Sequence, residues 1–107
     1  MSSSYDVRFD PVALEALGET AAYIESEFGP IRAGRWLEAM RLGIQKLEST
    51  PGAFPVACMR RGRTIHSKLV QGHRVYYFID TLKGIVYIID VVHTARETRL
   101  AQYRDPD

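Results

Sequence analysis

The side chains best able to do chemistry in this sequence are five cations, Arg60, Arg61, Arg63, Lys68 and Arg74, interleaved with His66 and His73 and followed by His93. Residues 51 to 79 hold those five Lys/Arg and no acid, while residues 1 to 50 hold 5 Lys/Arg and 8 Asp/Glu. Residues 80 to 107 hold 4 and 5, so a net charge of +1 conceals a basic middle third. That asymmetry suits an anionic partner, either a nucleic acid or an acidic protein surface. A solvated basic face is the structural alternative. Cleaving RNA would require a base for the 2′-hydroxyl proton, cations for the phosphorane charge and an acid for the leaving oxygen. Arg63, Lys68 and Arg74 are candidate cations, the three histidines can exchange protons near neutrality, and Tyr103 can stack on a base or donate a proton.

The spacing separates these groups as much as it gathers them. Strand alternation puts Arg63, Ile65, Ser67 and Leu69 on one face and Thr64, His66, Lys68 and Val70 on the other. Arg63 and Lys68 therefore point to opposite sides, which counts against a preformed basic active site. Arg74 offers a planar fork for phosphate or carboxylate, or alternatively a salt bridge to Asp90. The run Arg60-Arg61-Gly62-Arg63 reads as a loop before the sheet, able to grip phosphates or an acidic surface, or simply solvated. His93 is a lone histidine at a strand end, where such residues also serve by satisfying a backbone group.

Other chemistries find no support. Cys58, His66, His73 and His93 lack metal-ligand spacing, so no metal is expected. No nucleophile elbow is present, and Cys58 has no neighbouring histidine. The eight glycines build neither a P-loop nor a dinucleotide fingerprint, so no cofactor is expected.

The elements that must position these residues follow from periodicity. Tyr5 to Phe9 alternates as a strand with one buried face, and Asp10-Pro11 ends it and caps the next helix. Leu14, Leu17, Ala21, Ile24 and Phe28 form one helical stripe, and Gly29-Pro30 stops it. Ala33, Leu37, Met40, Ile44 and Leu47 form a second stripe, leaving Trp36 beside it as either a partner anchor or half-buried packing against the first helix. So short a link makes the two helices an antiparallel hairpin, whose apolar faces need a sheet to cover. Thr50-Pro51-Gly52 and Pro55 read as loop. Arg63 to Val70, Arg74 to Asp80 and Gly84 to Val92 then read as strands, joined by Gln71-Gly72-His73 and Thr81-Leu82-Lys83 into an antiparallel meander. A short terminal helix is expected between Thr94 and Tyr103. The result is an α+β plan: N-terminal strand, helical hairpin, three-stranded meander, short C-terminal helix, with the hairpin packed on one sheet.

At 107 residues a single domain spanning 1–107 is expected, with an ordinary globular composition of 46% hydrophobic and 25% charged residues. The N-terminus has no secretory pattern and Cys58 is the one cysteine, which points to the cytoplasm. The longest apolar run, Ile85 to Ile89, falls far short of the roughly 20 residues of a membrane span.

The order of elements and their residues resembles the RelE/ParE toxin superfamily of type II toxin-antitoxin systems, over nearly the whole chain. The resemblance is carried by Val7-Arg8-Phe9 with Pro11 and Ala13, Tyr23-Ile24, Ala33, and Leu47 with Pro51. It continues through Gly72-His73-Arg74-Val75-Tyr76-Tyr77 and Val86-Tyr87-Ile88-Ile89-Asp90-Val91-Val92-His93 with Arg96. It implies a toxin neutralised by a cognate antitoxin. The ending Val91 to Glu97 is more similar to the ParE-like branch, which implies inhibition of DNA gyrase; the RelE-like alternative is a ribosome-dependent mRNA endoribonuclease. On the first reading Arg60, Arg61, Arg63, Arg74, His93 and Arg96 bind the target, and on the second Arg74, His93 and Tyr103 are catalytic. Leu14, Leu17, Trp36 and Met40 are the expected antitoxin contacts, along an apolar groove between the hairpin and the sheet.

Overall fold

A computed structural model of the chain describes residues 4–95. Strand β1 (Asp6–Phe9) leads directly into helix α1 (Pro11–Phe28). The junction is set by Asp10, whose carboxylate accepts from the Val12 N–H at 3.0 Å, with Pro11 in the first turn, where no N–H is needed. Gly29, at φ 92°, both ends α1 and precedes helix α2 (Pro30–Gln45). A positive φ comes cheaply only to glycine, so the sharp reversal belongs there. Two short 3₁₀ turns, Lys46–Glu48 and Pro51–Ala53, carry the chain to the sheet.

The sheet contains β2 (Val56–Arg60), β3 (Arg63–Val70), β4 (His73–Asp80) and β5 (Ile85–His93), in the order β1-β5-β4-β3-β2. β2 to β5 form antiparallel hairpins, while β1 pairs parallel to β5, with Val7 opposite Val86 and Phe9 opposite Ile88. The helical hairpin lies on one sheet face. Its core gathers Ala13, Met40, Ile44 and Leu47 from the helical side with Val70, Val75, Tyr77, Val86, Ile88 and Val91 from the sheet. A smaller cluster of Ile65, Tyr76 and Val92 occupies the opposite face, called here the open face. No helix among the described residues is long and apolar enough to cross a membrane.

The α+β plan read from the sequence matches this architecture, with three differences. β2 falls where the sequence reads as loop: Pro55 and the unpatterned Val-Ala-Cys-Met-Arg stretch hide an edge strand that exists because β3 offers it a ladder. Arg60-Arg61-Gly62-Arg63 is therefore a β-hairpin tip, with Arg61 and Gly62 at φ 51° and 76°. Both ends of the α1 stripe and Leu37 of the α2 stripe also face outward, whereas Ala33, Met40, Ile44 and Leu47 are buried as expected. Leu14 and Phe28 are more than half exposed, and α1 instead seals the core with Ala13, Ala16 and Leu17. In α2 Trp36 packs on the core while Leu37 faces outward, because small Ala33 and Gly43 let that side approach the sheet. The expected terminal helix lies largely outside the described residues.

Candidate functional site

The basic residues are divided between the two sheet faces by alternation along each strand. Arg60 and Arg63 are paired partners flanking the β2–β3 turn, so both belong to the open face at one end of the sheet. Like charges directly opposite each other repel, which makes this tip a place where an anion would be welcome. Arg63 turns its guanidinium over the Phe78 ring, 4.5 Å from the centroid, and Phe78 in turn stacks on Tyr87 at 4.9 Å.

Lys68 goes the other way. Its Nζ donates to the Gly43 carbonyl of α2 at 2.6 Å and lies 4.8 Å from the Phe54 ring centroid. Burial, and then the nearby Lys46 charge, push its pKa below the usual lysine value. It fastens helix to sheet.

Arg74 is half-buried on the open face, opposite Leu69 on β3 and Val92 on β5. Asp90 sits opposite Tyr76, so Arg74 and Asp90 are diagonal neighbours on one face, a separation an arginine can span. Asp90 is fully buried, and one carboxylate oxygen accepts from the Val91 N–H at 2.8 Å. The β4–β5 register shifts here, between Tyr76 and Tyr77, leaving Ile89 as the extra residue of a bulge. Its signal in the sequence is the acid inside the otherwise apolar run Ile85 to Val92.

The histidines serve packing and backbone. The His66 Nδ1 donates to the Phe54 carbonyl at 2.9 Å, and the ring stacks on Tyr77. His73 is buried, its Nδ1 donating to the Gln71 carbonyl at 2.9 Å, with Trp36 and His93 edge-on at 5.2 and 5.0 Å. Burial lowers its pKa, with the Gln71 carbonyl opposing and His93 adding to the effect. His93 is exposed, and its Nδ1 accepts from the Ala95 N–H at 3.0 Å.

Cys58 lies on β2 opposite Ile65, and no group of three metal-ligating side chains occurs among the described residues. Arg96 and Tyr103 fall outside them. Of the four expected antitoxin contacts, Leu14 is 55% exposed, Leu17 and Trp36 are half-buried, and Met40, at 1% exposure, is core and presents no surface in this conformation.

The family of ParE toxins of type II toxin-antitoxin systems, parDE, matches residues 7–98, from β1 to beyond β5. The chain belongs to the ParE toxin family. Its fold is shared with solved structures of the same kind. The chromosomal ParDE system of P. aeruginosa superposes with a TM-score of 0.68 at 9% identity, covering 86% of this chain and 98% of that one. The RelBE2 toxin-antitoxin complex of Mycobacterium tuberculosis superposes at 0.60 with 22% identity, covering 89% and 97%. No curated protein matches this ParE-family chain. At these identities the structural likeness speaks for the fold, and it is the family match along the sequence that makes the chain a toxin of a type II system.

Proposed function

We propose that this toxin inhibits DNA gyrase by binding and is held inactive by a cognate antitoxin. The observation that carries the reading is the dispersal of the groups a ribonuclease would have to bring together. Arg63 and His73 stand at opposite ends of the β3–β4 hairpin, because Val70, the partner of His73, lies seven positions along β3 from Arg63; at the rise of a β-strand this is about 23 Å. Arg74 shares the histidine end, but alternation sends it to the open face while His73 and His93 meet on the other. Arg74 is thus on the opposite face from both histidines at its end of the sheet, and the His66 Nδ1, near Arg63, is committed to the Phe54 carbonyl, whereas proton transfer requires a base within hydrogen-bond reach. A binding surface has no such requirement. Arg60, Arg61, Arg63 and Arg74 would form the target face, along the open side and hairpin tip, with His93 at its far end and Arg96 the further contact expected from the sequence.

The antitoxin would cover the apolar side chains that the helices leave outside, among them Leu14, Phe28, Ile31 and Leu37, each at least 42% exposed. A partner segment that folds on binding can bury such scattered side chains at an ordering cost of about 2 to 5 kcal/mol.

The deciding experiment adds purified toxin to gyrase in a supercoiling assay and, separately, to translating ribosomes. Inhibited supercoiling, relieved by antitoxin and weakened by Arg74→Ala, is the expected result. In cells the counterpart is filamentation with bulk message intact. Intact supercoiling together with ribosome-dependent message cleavage would replace this reading with the endoribonuclease.

A further inference from the structure

The ladder between β3 and β4 runs from Val70↔His73 to His66↔Tyr77 and stops there, although β3 extends back to Arg63 and β4 on to Asp80. Each strand keeps its outer neighbour over this stretch: β3 pairs with β2 through Arg63, and β4 with β5 through Asp80. The two central strands therefore splay apart inside the sheet. Between them opens a cavity of about 290 Å³, lined by Gly62, Arg63, Thr64, His66, Phe78, Ile79 and Asp80.

Extending the register would set Arg63 opposite Asp80, and opposite charges at facing positions of antiparallel strands ordinarily pair. Here they do not. Arg63 is laid over the Phe78 ring, and Asp80 accepts from the Lys83 N–H at 3.0 Å. Among the described residues neither has an ion-pair partner. The wedge thus presents a guanidinium and a carboxylate from opposite walls, with an aromatic ring, the Thr64 side chain and an imidazole between them. A lone anion would meet Asp80 and a lone cation would meet Arg63, so a ligand bearing one charge satisfies half of the site and is repelled by the other.

We propose that the wedge is a binding site for a small zwitterion of the dipeptide class, its carboxylate on Arg63 and its ammonium on Asp80. The size agrees, being at the lower end of ligand pockets, about 300 to 1,000 Å³. An amide between the two charges would also face strand edges that no longer pair with each other, the setting in which short extended segments add to sheets. The site shares Arg63 with the proposed target face, but it does not depend on which target that face binds.

The test is an amide-resolved NMR titration of the full chain with Ala-Ala, its N-acetylated form, which lacks the ammonium, and its C-amidated form, which lacks the carboxylate. Saturable shifts at Arg63, Thr64, Phe78 and Ile79 are expected with Ala-Ala at low millimolar concentration, with each blocked form weaker by about tenfold or more. Arg63→Gln and Asp80→Asn should each lower affinity similarly, Asn keeping an acceptor for Lys83. The swap Arg63→Asp with Asp80→Arg should restore part of what either single reversal removes, provided the amide spectrum stays that of the folded chain. No saturable shift at these amides, or equal binding of the blocked and free dipeptides, would overturn the proposal. Because the readout is binding and not gyrase inhibition, its failure leaves the functional reading untouched.

Discussion

His73 shows how one side chain can be displaced from chemistry by its surroundings. A histidine beside Gly72 and Arg74 reads as a proton carrier in the sequence, yet it is packed edge-on between Trp36 and His93 and its Nδ1 is committed to Gln71. Its lowered pKa has a sign that can be worked through. The unfolded chain protonates His73 near the ordinary value of 6.5, while the folded chain resists until lower pH. Its contribution to stability is therefore complete above 6.5 and is lost as pH falls through that value towards the folded pKa. Thermal melts between about pH 5 and 8 should show the midpoint falling on the acid side, and His73→Phe should flatten that limb. A variant that keeps the full wild-type slope would assign the acid dependence to other groups.

At the level of elements, the β2–β3 hairpin has a tip that its own stability does not favour. Two-residue turns of this hand prefer Asn-Gly, because the first position takes a positive φ that costs an ordinary L residue about 1 kcal/mol. This chain places Arg61 there, at φ 51°, between two further arginines. The corresponding turn between β3 and β4 is Gln71-Gly72, with nearly the same angles but no charge cluster. Replacing Arg61 by Asn should therefore raise stability by about 0.5 to 1 kcal/mol in a denaturant titration while weakening gyrase inhibition. Raised stability with undiminished inhibition would remove Arg61 from the target face.

Across the molecule, the contact between the helical hairpin and the sheet depends on one absent side chain. A Cβ on Gly43 would collide with Val70 Cγ1, so the Val70 side chain, α2 or β3 would have to shift. The Gly43 carbonyl receives Lys68 at the same crossing, so the small residue and the hydrogen bond hold the layers together. Ala would gain about 1 kcal/mol of helix propensity, but overpacking a core commonly costs about 1 to 3 kcal/mol. Gly43→Ala should thus be net destabilising in chemical denaturation, and adding Val70→Ala should recover part of the loss. A Gly43→Ala single variant more stable than wild type would mean that the layers are looser than this packing implies.

The sequence by itself determined the order and kind of most elements, since Asp10-Pro11, Gly29-Pro30 and the paired residues of each turn are local instructions that need no distant partner. It also carried the family, because the Gly72 to Tyr77 and Val86 to His93 stretches keep their order along the chain whatever the fold does. Three things waited for tertiary structure. β2 has little pattern of its own and becomes a strand only beside β3. In α1 small Ala13 lies innermost although the larger Leu14 dominates a reading by hydrophobicity, and in α2, whose stripe of Ala33, Met40, Ile44 and Leu47 is buried as it reads, Leu37 is left outside while Trp36 packs on the core. The fates of the cations diverged too: Lys68 is bound to a helix carbonyl, Arg63 rests on an aromatic ring, and Arg74 stands near the buried Asp90. Spacing along a strand fixes only the face on which a charge emerges. Its partner there is supplied by elements distant in sequence, and no local pattern encodes it.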